Sequence, residues 1–406
     1  MIRSTCYSGK PGVRQPDTAV KYRRTYPAGG VATTASDMAP FMIALLDGAP
    51  GVVSQETTAE YLSTTYRAAP ALPGRTQGGL EERFISGQRV VAHGGDIFTF
   101  SSQMVLLPDE NFGFFLVYNA FNDEFRENIT TAMVERLFPG EPQNPTAVEL
   151  SSDQLALYTG TYRWTRYVRG NAEKVVALTP PYNTLVSANP EGTLTLTFIG
   201  LNGSSWTYQP IGDHAFSKVT GEPALVDGLV VDPGDRISFT MVNGDVHYLN
   251  LALHTISAER VPFVLMGIPQ LAMIGTIVIL FAAALIIWPL GALMRSIRRK
   301  PHLSRRPRLA LWLSVTVGVS LVAGFVAFFA GVSSDIVFGV PPMVIVATTL
   351  LSMAAIAGLA LVPTAVLAWR SGWFTAGGRT LYTLLALTAP LTLWWVWYWN
   401  LLGYQF

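Results

Sequence analysis

"RVVAHGGDIFTFSSQMVLLPDENFGFFLVYN", residues 89–119, is the stretch on which the reading of the first third of the chain turns. Its apolar runs read as strands: one ends on His93, and two more are joined by Pro-Asp-Glu-Asn at 108–111. Gly94 and Gly95 follow the histidine. A strand that ends in His-Gly-Gly sets an imidazole beside backbone amides that no side chain shields. Glycine there lets a ligand carbonyl come close to the strand edge. The imidazole can donate a hydrogen bond or hold a negative group. The plain alternative is a histidine next to an ordinary Gly-Gly turn, and these residues alone leave both readings open.

Around this stretch the pattern mixes helix and strand. Pro-Ala-Gly-Gly at 27–30 reads as a turn, and Thr34 with Asp37 three residues on reads as a helix cap. Met38, Phe41, Met42 and Leu45 then recur at helical spacing and give one apolar face. Pro40 is expected to bend that helix and Gly48 to stop it. A short helix is expected over 55–62, and NDEFRENITTAMVERLF (122–138) reads as another amphipathic helix. PGEPQNPTAVELSSDQ (139–154) is rich in proline and polar residues, as a linker would be. From Leu155 to about Ala258, short runs rich in Thr, Val, Tyr and Phe alternate with turn signals; examples are 160–164, 174–178, 193–199, 206–210 and 236–242. That spacing predicts an all-β barrel or sandwich.

Half of the 406 residues are apolar and 14% are charged. The apolar excess gathers after about Val261, in segments at about 263–293, 309–331, 341–368 and 380–400. Each is long enough to cross a bilayer, which takes about 20 residues. Seven Lys or Arg lie between the first two, in RSIRRKPHLSRRPR (295–308); Arg370 and Arg379 sit in the third loop, and the second has Asp335 and no base. The positive-inside rule then expects the first and third loops in the cytoplasm, and residues 1–260 and both termini outside it. Trp394, Trp395, Trp397, Tyr398 and Trp399 read as an interfacial aromatic belt. The spans hold essentially no ionisable residue, which favours an anchor over a transport path. A net charge of +1 leaves no basic footprint for nucleic acid. The single Cys6 excludes an intrachain disulfide and a thiolate cluster. Five scattered histidines give no metal spacing, and no cofactor motif is present.

Two stretches carry a resemblance. YPAGGVATTASDMAPFM (26–42) resembles the Pro-Ala-Gly-Gly segment of β-lactamase-related serine hydrolases, the family of class C β-lactamases, penicillin-binding DD-peptidases and related esterases. HGGDIFTFSSQMVLLPDENFGFFLVYN (93–119) resembles a later segment of the same family, and the two together span roughly 1–140. The resemblance implies that His93, Gly94 and Gly95 stand where many members have Lys-Thr-Gly, and that the backbone N–H of Asp96 is an oxyanion-hole donor. Thr99 departs from a glycine common in the family, and Pro40 departs too. LALYTGTYR (155–163) resembles the opening of small lipocalin-like barrels, with Tyr158, Gly160 and Tyr162 expected in the core or at a strand start.

The family's chemistry also needs a Ser-x-x-Lys nucleophile box and a Tyr-x-Asn or Ser-x-Asn box. No Ser-x-x-Lys occurs anywhere in the chain; the nearest pair, Ser296 and Arg299, lies in the basic loop. No Gly-x-Ser-x-Gly, His-Glu-x-x-His or Gly-x-Gly-x-x-Gly occurs either. Both missing boxes normally precede the Pro-Ala-Gly-Gly segment. MIRSTCYS resembles an internal family segment beginning at its methionine, and the N-terminus has no apolar signal region. The expectation is therefore the C-terminal part of a longer hydrolase, against a genuine short protein that lacks the catalytic half.

The expected architecture is multidomain. An α/β, partial β-lactamase/transpeptidase-like domain at 1–140 and a linker at 141–154 precede a β-barrel-like domain at 155–260 and a four-helix transmembrane bundle at 261–406. The expected function is that of a membrane-anchored, extracytoplasmic, bacterial-type serine hydrolase acting on a peptide, β-lactam or ester, and inactive as this chain alone. Its expected partners are the lipid bilayer and a cell-wall peptide or small acyl substrate, with no nucleic acid, cofactor or metal. The alternative is a non-catalytic, membrane-tethered module that binds or senses the cell wall.

Overall fold

The computed structural model describes residues 6–8, 15–17, 29–97, 100–141, 145–179, 182–199, 204–226, 229–252, 256–299, 301, 303–331 and 339–406. Residues 1–5, Pro27, Ala28, Thr99, Lys300 and Asp335 lie outside them. The chain forms two compact units: Met1–Arg166 with Pro180–Phe263, and Tyr167–Thr179 with Val264–Phe406.

In the first unit, β1 (Cys6–Ser8) pairs with β2 (Gln15–Asp17). Helix α1 (Ala35–Leu46) starts where the Thr34 hydroxyl oxygen accepts from the Asp37 N–H at 3.1 Å and donates to the Asp37 carboxylate at 2.8 Å. It runs on through Pro40, which removes only the donor that would have met the Ser36 carbonyl. Past its end Gly48 takes a φ of 84°, the left-handed stop that glycine supplies. Helix α2 (Gln55–Leu62) follows, capped by Ser54.

Next come β3 (Thr64–Tyr66), β4 (Arg75–Thr76), β5 (Glu81–Ile85), β6 (Gln88–Ile97), β7 (Phe100–Leu107) and β8 (Phe112–Tyr118), an antiparallel sheet in sequence order. Its central strands are apolar on both faces, so successive residues enter different cores. Val91, Met104 and Leu106 pack with Met42, Leu45 and Leu62 of α1 and α2. Val90, Ala92, Val105 and Leu107 pack on the other face with Val134 of α3 (Asp123–Leu137). The sheet is thus sandwiched between helices. Strands β3 to β5 are short and polar and carry little periodic signal in the sequence.

Residues 151–154, expected in the linker, open helix α4 (Ser152–Ala156). The Ser151 hydroxyl and the Gln154 side chain each accept the other's backbone N–H, a reciprocal capping box. Then β9 (Gly160–Trp164), β10 (Asn183–Ala188), β11 (Leu194–Phe198), β12 (Ser205–Gly212) and β13 (Ala215–Thr220) run round an antiparallel barrel. A small ladder of β14 (Ala224–Val226) and β15 (Leu229–Val231) intervenes before β16 (Arg236–Val242), β17 (Asp245–Leu251) and β18 (Ser257–Arg260). Pairing of β18 with β9 closes the barrel. Its core is aromatic: Tyr158, Tyr162, Phe198, Trp206, Tyr208, Phe216 and Phe239 are all buried. The Tyr162 and Tyr208 hydroxyls donate to the Tyr158 and Gly234 carbonyls, each at 2.7 Å. Gly160 has a φ of 144°, and a Cβ there would sit 3.1 Å from Arg260 Nε.

The expected strand at 174–178 is instead a 3₁₀ helix, Ala172–Leu178, and belongs to the second unit. Asn171 caps it at 2.8 Å, and Ala172, Ala177 and Leu178 enter the helical core. β-Branched residues set the sequence expectation, but burial against helices decides the outcome.

The rest of the second unit is α5 (Gly267–Ile297), α6 (Arg305–Gly331), α7 (Pro342–Gly358), α8 (Leu361–Arg370) and α9 (Ala376–Tyr398). They make four stretches long and apolar enough to cross a membrane, with α7 and α8 forming one of them. The expected third span is therefore broken at 359–360. Pro363 cannot donate to the Leu359 carbonyl, and its ring crowds that turn. In the aromatic cluster at the end of α9, Trp395 and Trp399 are buried while Trp397 is exposed, so only part of it faces outward. Trp399 Nε1 donates to Gln270 Oε1 at 3.1 Å inside the bundle.

Candidate active site

The decisive geometry lies in β6. Its pairing with β5 ends at Glu81 opposite Ala92, whereas its pairing with β7 continues to Ile97 opposite Phe100. Residues 93–97 therefore overhang β5 and leave one strand edge open. The Gly-Gly turn, the plain alternative reading, is absent: Gly94 and Gly95 are ordinary strand residues opposite Gln103 and Ser102. The apolar run stops at Ala92, and from His93 on every other residue is exposed. Among the described residues the His93 imidazole has no hydrogen-bond partner, so no fold contact uses it.

Each glycine has its own packing reason. A Cβ on Gly94 would sit 3.0 Å from Gln103 Oε1 and 3.2 Å from Arg126 Nη1. One on Gly95 would sit 2.8 Å from Ser102 Oγ. Gly94 thus lets a guanidinium lie against the strand backbone. That guanidinium is nearly sealed: the Arg126 side chain is 5% exposed and Asp123 2%. Arg126 donates to Asp96 and to Asp123, and Ser101 donates to the second Asp96 oxygen at 2.7 Å. The Asp96 carboxylate is therefore a structural clamp on the overhang.

Burial pushes the Asp123 carboxyl above the ordinary range, and the Arg126 charge and the Val230 N–H offset only part of the rise. That N–H, on β15, donates to Asp123 at 3.1 Å. Arg126 also meets Glu127, which binds Arg83; Arg83 and Arg75 both meet Glu81. An alternating chain of charges thus runs from α3 across the strands beside the overhang. In sequence, Asp123, Arg126, Thr130 and Val134 share one helical stripe, and all four are buried. Polar residues at core spacing were the available signal for this cluster.

A cleft of about 400 Å³ opens at the overhang. His93, Gly94 and Asp96 line one side, Arg75, Arg83 and Arg126 lie beside them, and Trp164, Arg166 and Tyr182 come from the barrel. A second depression, of about 460 Å³, surrounds Glu82. Burial raises the Glu82 carboxyl, but hydrogen bonds from Thr64 and Arg89, the Arg67 charge and the Gly74 N–H outweigh it and hold it below the usual range. Those contacts occupy Glu82 fully, which marks a structural anchor. Among the described residues no group of three or more His, Cys, Asp or Glu is placed to hold a metal.

The Beta-lactamase family model matches residues 3–137. No curated protein matches the chain. Among solved structures, that of SurE is 16% identical, with a TM-score of 0.39 over 64% of this chain and 56% of that one. The octameric penicillin-binding protein homologue from Pyrococcus abyssi is 13% identical, with a TM-score of 0.29 over 63% and 52%. The chain thus spans about half the length of these structures. The helix-covered sheet, the two motif stretches and the family match concern the same residues: residues 3–137 of this chain are a β-lactamase-family segment.

Proposed function

We propose that this segment supplies the His-Gly-Gly wall of an acyl-transfer site, held at a membrane by the apolar helices. The observation that carries the proposal is the overhang of residues 93–97, with its open edge on a cleft and an imidazole no fold contact uses. His93 would hydrogen-bond a reacting group, and the Asp96 N–H would help stabilise the oxyanion of a tetrahedral intermediate. Arg126 would keep the overhang in register through Asp96. The substrate would be a peptide, β-lactam or small ester, met outside the cytoplasm if the basic 295–308 loop is cytoplasmic. These 406 residues hold no Ser-x-x-Lys box, so a nucleophile of that kind would have to be supplied from outside them.

The test offers a chromogenic ester and a cephalosporin to the purified chain, with a serine-directed fluorophosphonate probe in parallel. The expected result is no turnover above buffer and no labelling. Serine-dependent turnover would sink the assignment of an absent nucleophile. The missing Ser-x-x-Lys equally favours a second reading, a tethered module that binds cell-wall peptides at the same edge. Peptidoglycan peptide binding that is lost on His93→Ala, without hydrolysis in any longer form of the protein, would select it.

A further inference from the structure

From residue 261 onward the basic residues gather in two loops. Seven Lys or Arg lie in 295–308, and Arg370 and Arg379 flank the turn before α9; from residue 261 to the C-terminus the only acid is Asp335, in a different loop. The structure brings these two basic loops together. Trp288 of α5 lies 5.7 Å from the Phe374 ring, which lies 5.7 Å from Tyr382 of α9. The Tyr382 hydroxyl in turn donates to the Ala310 carbonyl of α6 at 3.1 Å.

Nothing in the described protein neutralises this end. None of Arg295, Arg298, Arg299, Arg305, Arg306 and Arg308 makes an ion pair there; Arg295 reaches only the Pro301 carbonyl, at 3.5 Å. The first turns of α6 and α9 hold arginines and no acid. A cation beside a helix N-terminus faces the positive end of the helix dipole, so both ends need an anion from elsewhere. A second observation gives the depth. Trp312 and Trp369 are 63% and 50% exposed, and Arg379 lies 4.7 Å over the Trp369 ring. Exposed tryptophans on apolar helices sit at headgroup level. In a bilayer, that placement would set Arg379 at the height of lipid phosphates.

We propose that this end is a docking surface for the headgroups of anionic glycerophospholipids. Their phosphates would lie between the 295–308 loop and the start of α9, and would stabilise the two helix N-termini that the chain leaves without acid. The assignment is independent of any activity at His93.

Native mass spectrometry of the delipidated full chain, offered equal phosphatidylglycerol and phosphatidylcholine, tests it. The expected result is retention of the anionic lipid by about fivefold or more, the size expected for one well-placed cation. The melting midpoint should also rise in nanodiscs that contain phosphatidylglycerol. Arg305→Gln, Arg306→Gln and Arg308→Gln together should remove the preference, while the same three positions changed to lysine should keep it. Equal retention of both lipids, or a preference that survives the glutamine variant, overturns the proposal. A melting shift reproduced by inorganic phosphate without lipid also overturns it and assigns the site to a free anion. If the glutamine variant fails to fold, the comparison of the two lipids on the unaltered chain still decides.

Discussion

The six-stranded sheet and the eight-stranded barrel follow the same local rule, antiparallel strands paired mostly to their sequence neighbours, yet they end differently. The barrel closes on itself and spends its interior on aromatic packing. The sheet lets β6 outrun β5, and at the overhang it replaces apolar packing with Arg126, Asp123 and Asp96. Closure leaves no edge on which to build chemistry. An overhang leaves an edge, at the cost of a buried ionic clamp to hold it. The difference separates residues that make the fold from residues that the fold presents.

Three substitutions test that separation. Trp206→Ala should cost the barrel about 4 kcal/mol, since the ring is fully buried and its cavity cannot collapse within a closed sheet. Hydrogen exchange of β11 and β12 should report the loss, with the sheet's core strands unchanged. Arg126→Met should cost about 3 kcal/mol, because it strands two carboxylates whose charge it had balanced. The loss should shrink as pH falls. Burial already raises the Asp123 carboxyl, and removing the guanidinium raises it further, so the folded form holds that proton more tightly than the unfolded one. Stability then recovers from the raised folded value down towards the unfolded value near ~3.9. A pH-independent loss in thermal melts would place Arg126 outside the clamp. His93→Ala should change stability by less than about 0.5 kcal/mol, as expected for an exposed side chain. A larger drop would mean that the imidazole is part of the fold and not presented by it.

Much of the fold was legible because its signals are local. The Thr34 cap, the 55–62 helix, β16 and the four apolar stretches depend on neighbours within a few residues. What was not legible depends on distant partners. Residues 174–178 look like a strand until helices bury them. Gly94 and Gly95 look like a turn until β7 continues beside them, because glycine is permissive in both settings. The clamp was hidden for a related reason: α3 reads as an amphipathic helix, and only the sheet behind it shows that its polar stripe faces inward. The His93 motif was legible as a place, but the sequence does not reveal that its strand runs four residues further.

The excursion at Tyr167–Thr179 has a consequence for how the protein is held. Because that segment belongs to the helical unit, the backbone passes between the two units three times, near 166, 179 and 263. Within the helical unit the excursion is fastened by its own bonds: Asn400 donates to the Arg169 carbonyl at 2.8 Å, and Ala172 N–H donates to Gln405 at 2.8 Å. A single cut near residue 263 would leave Tyr167–Thr179 joined by backbone to the first unit and held to the remaining helices by those hydrogen bonds. Separation of the two units after such a cut would then also require those hydrogen bonds to break, which a domain on a single stalk does not require.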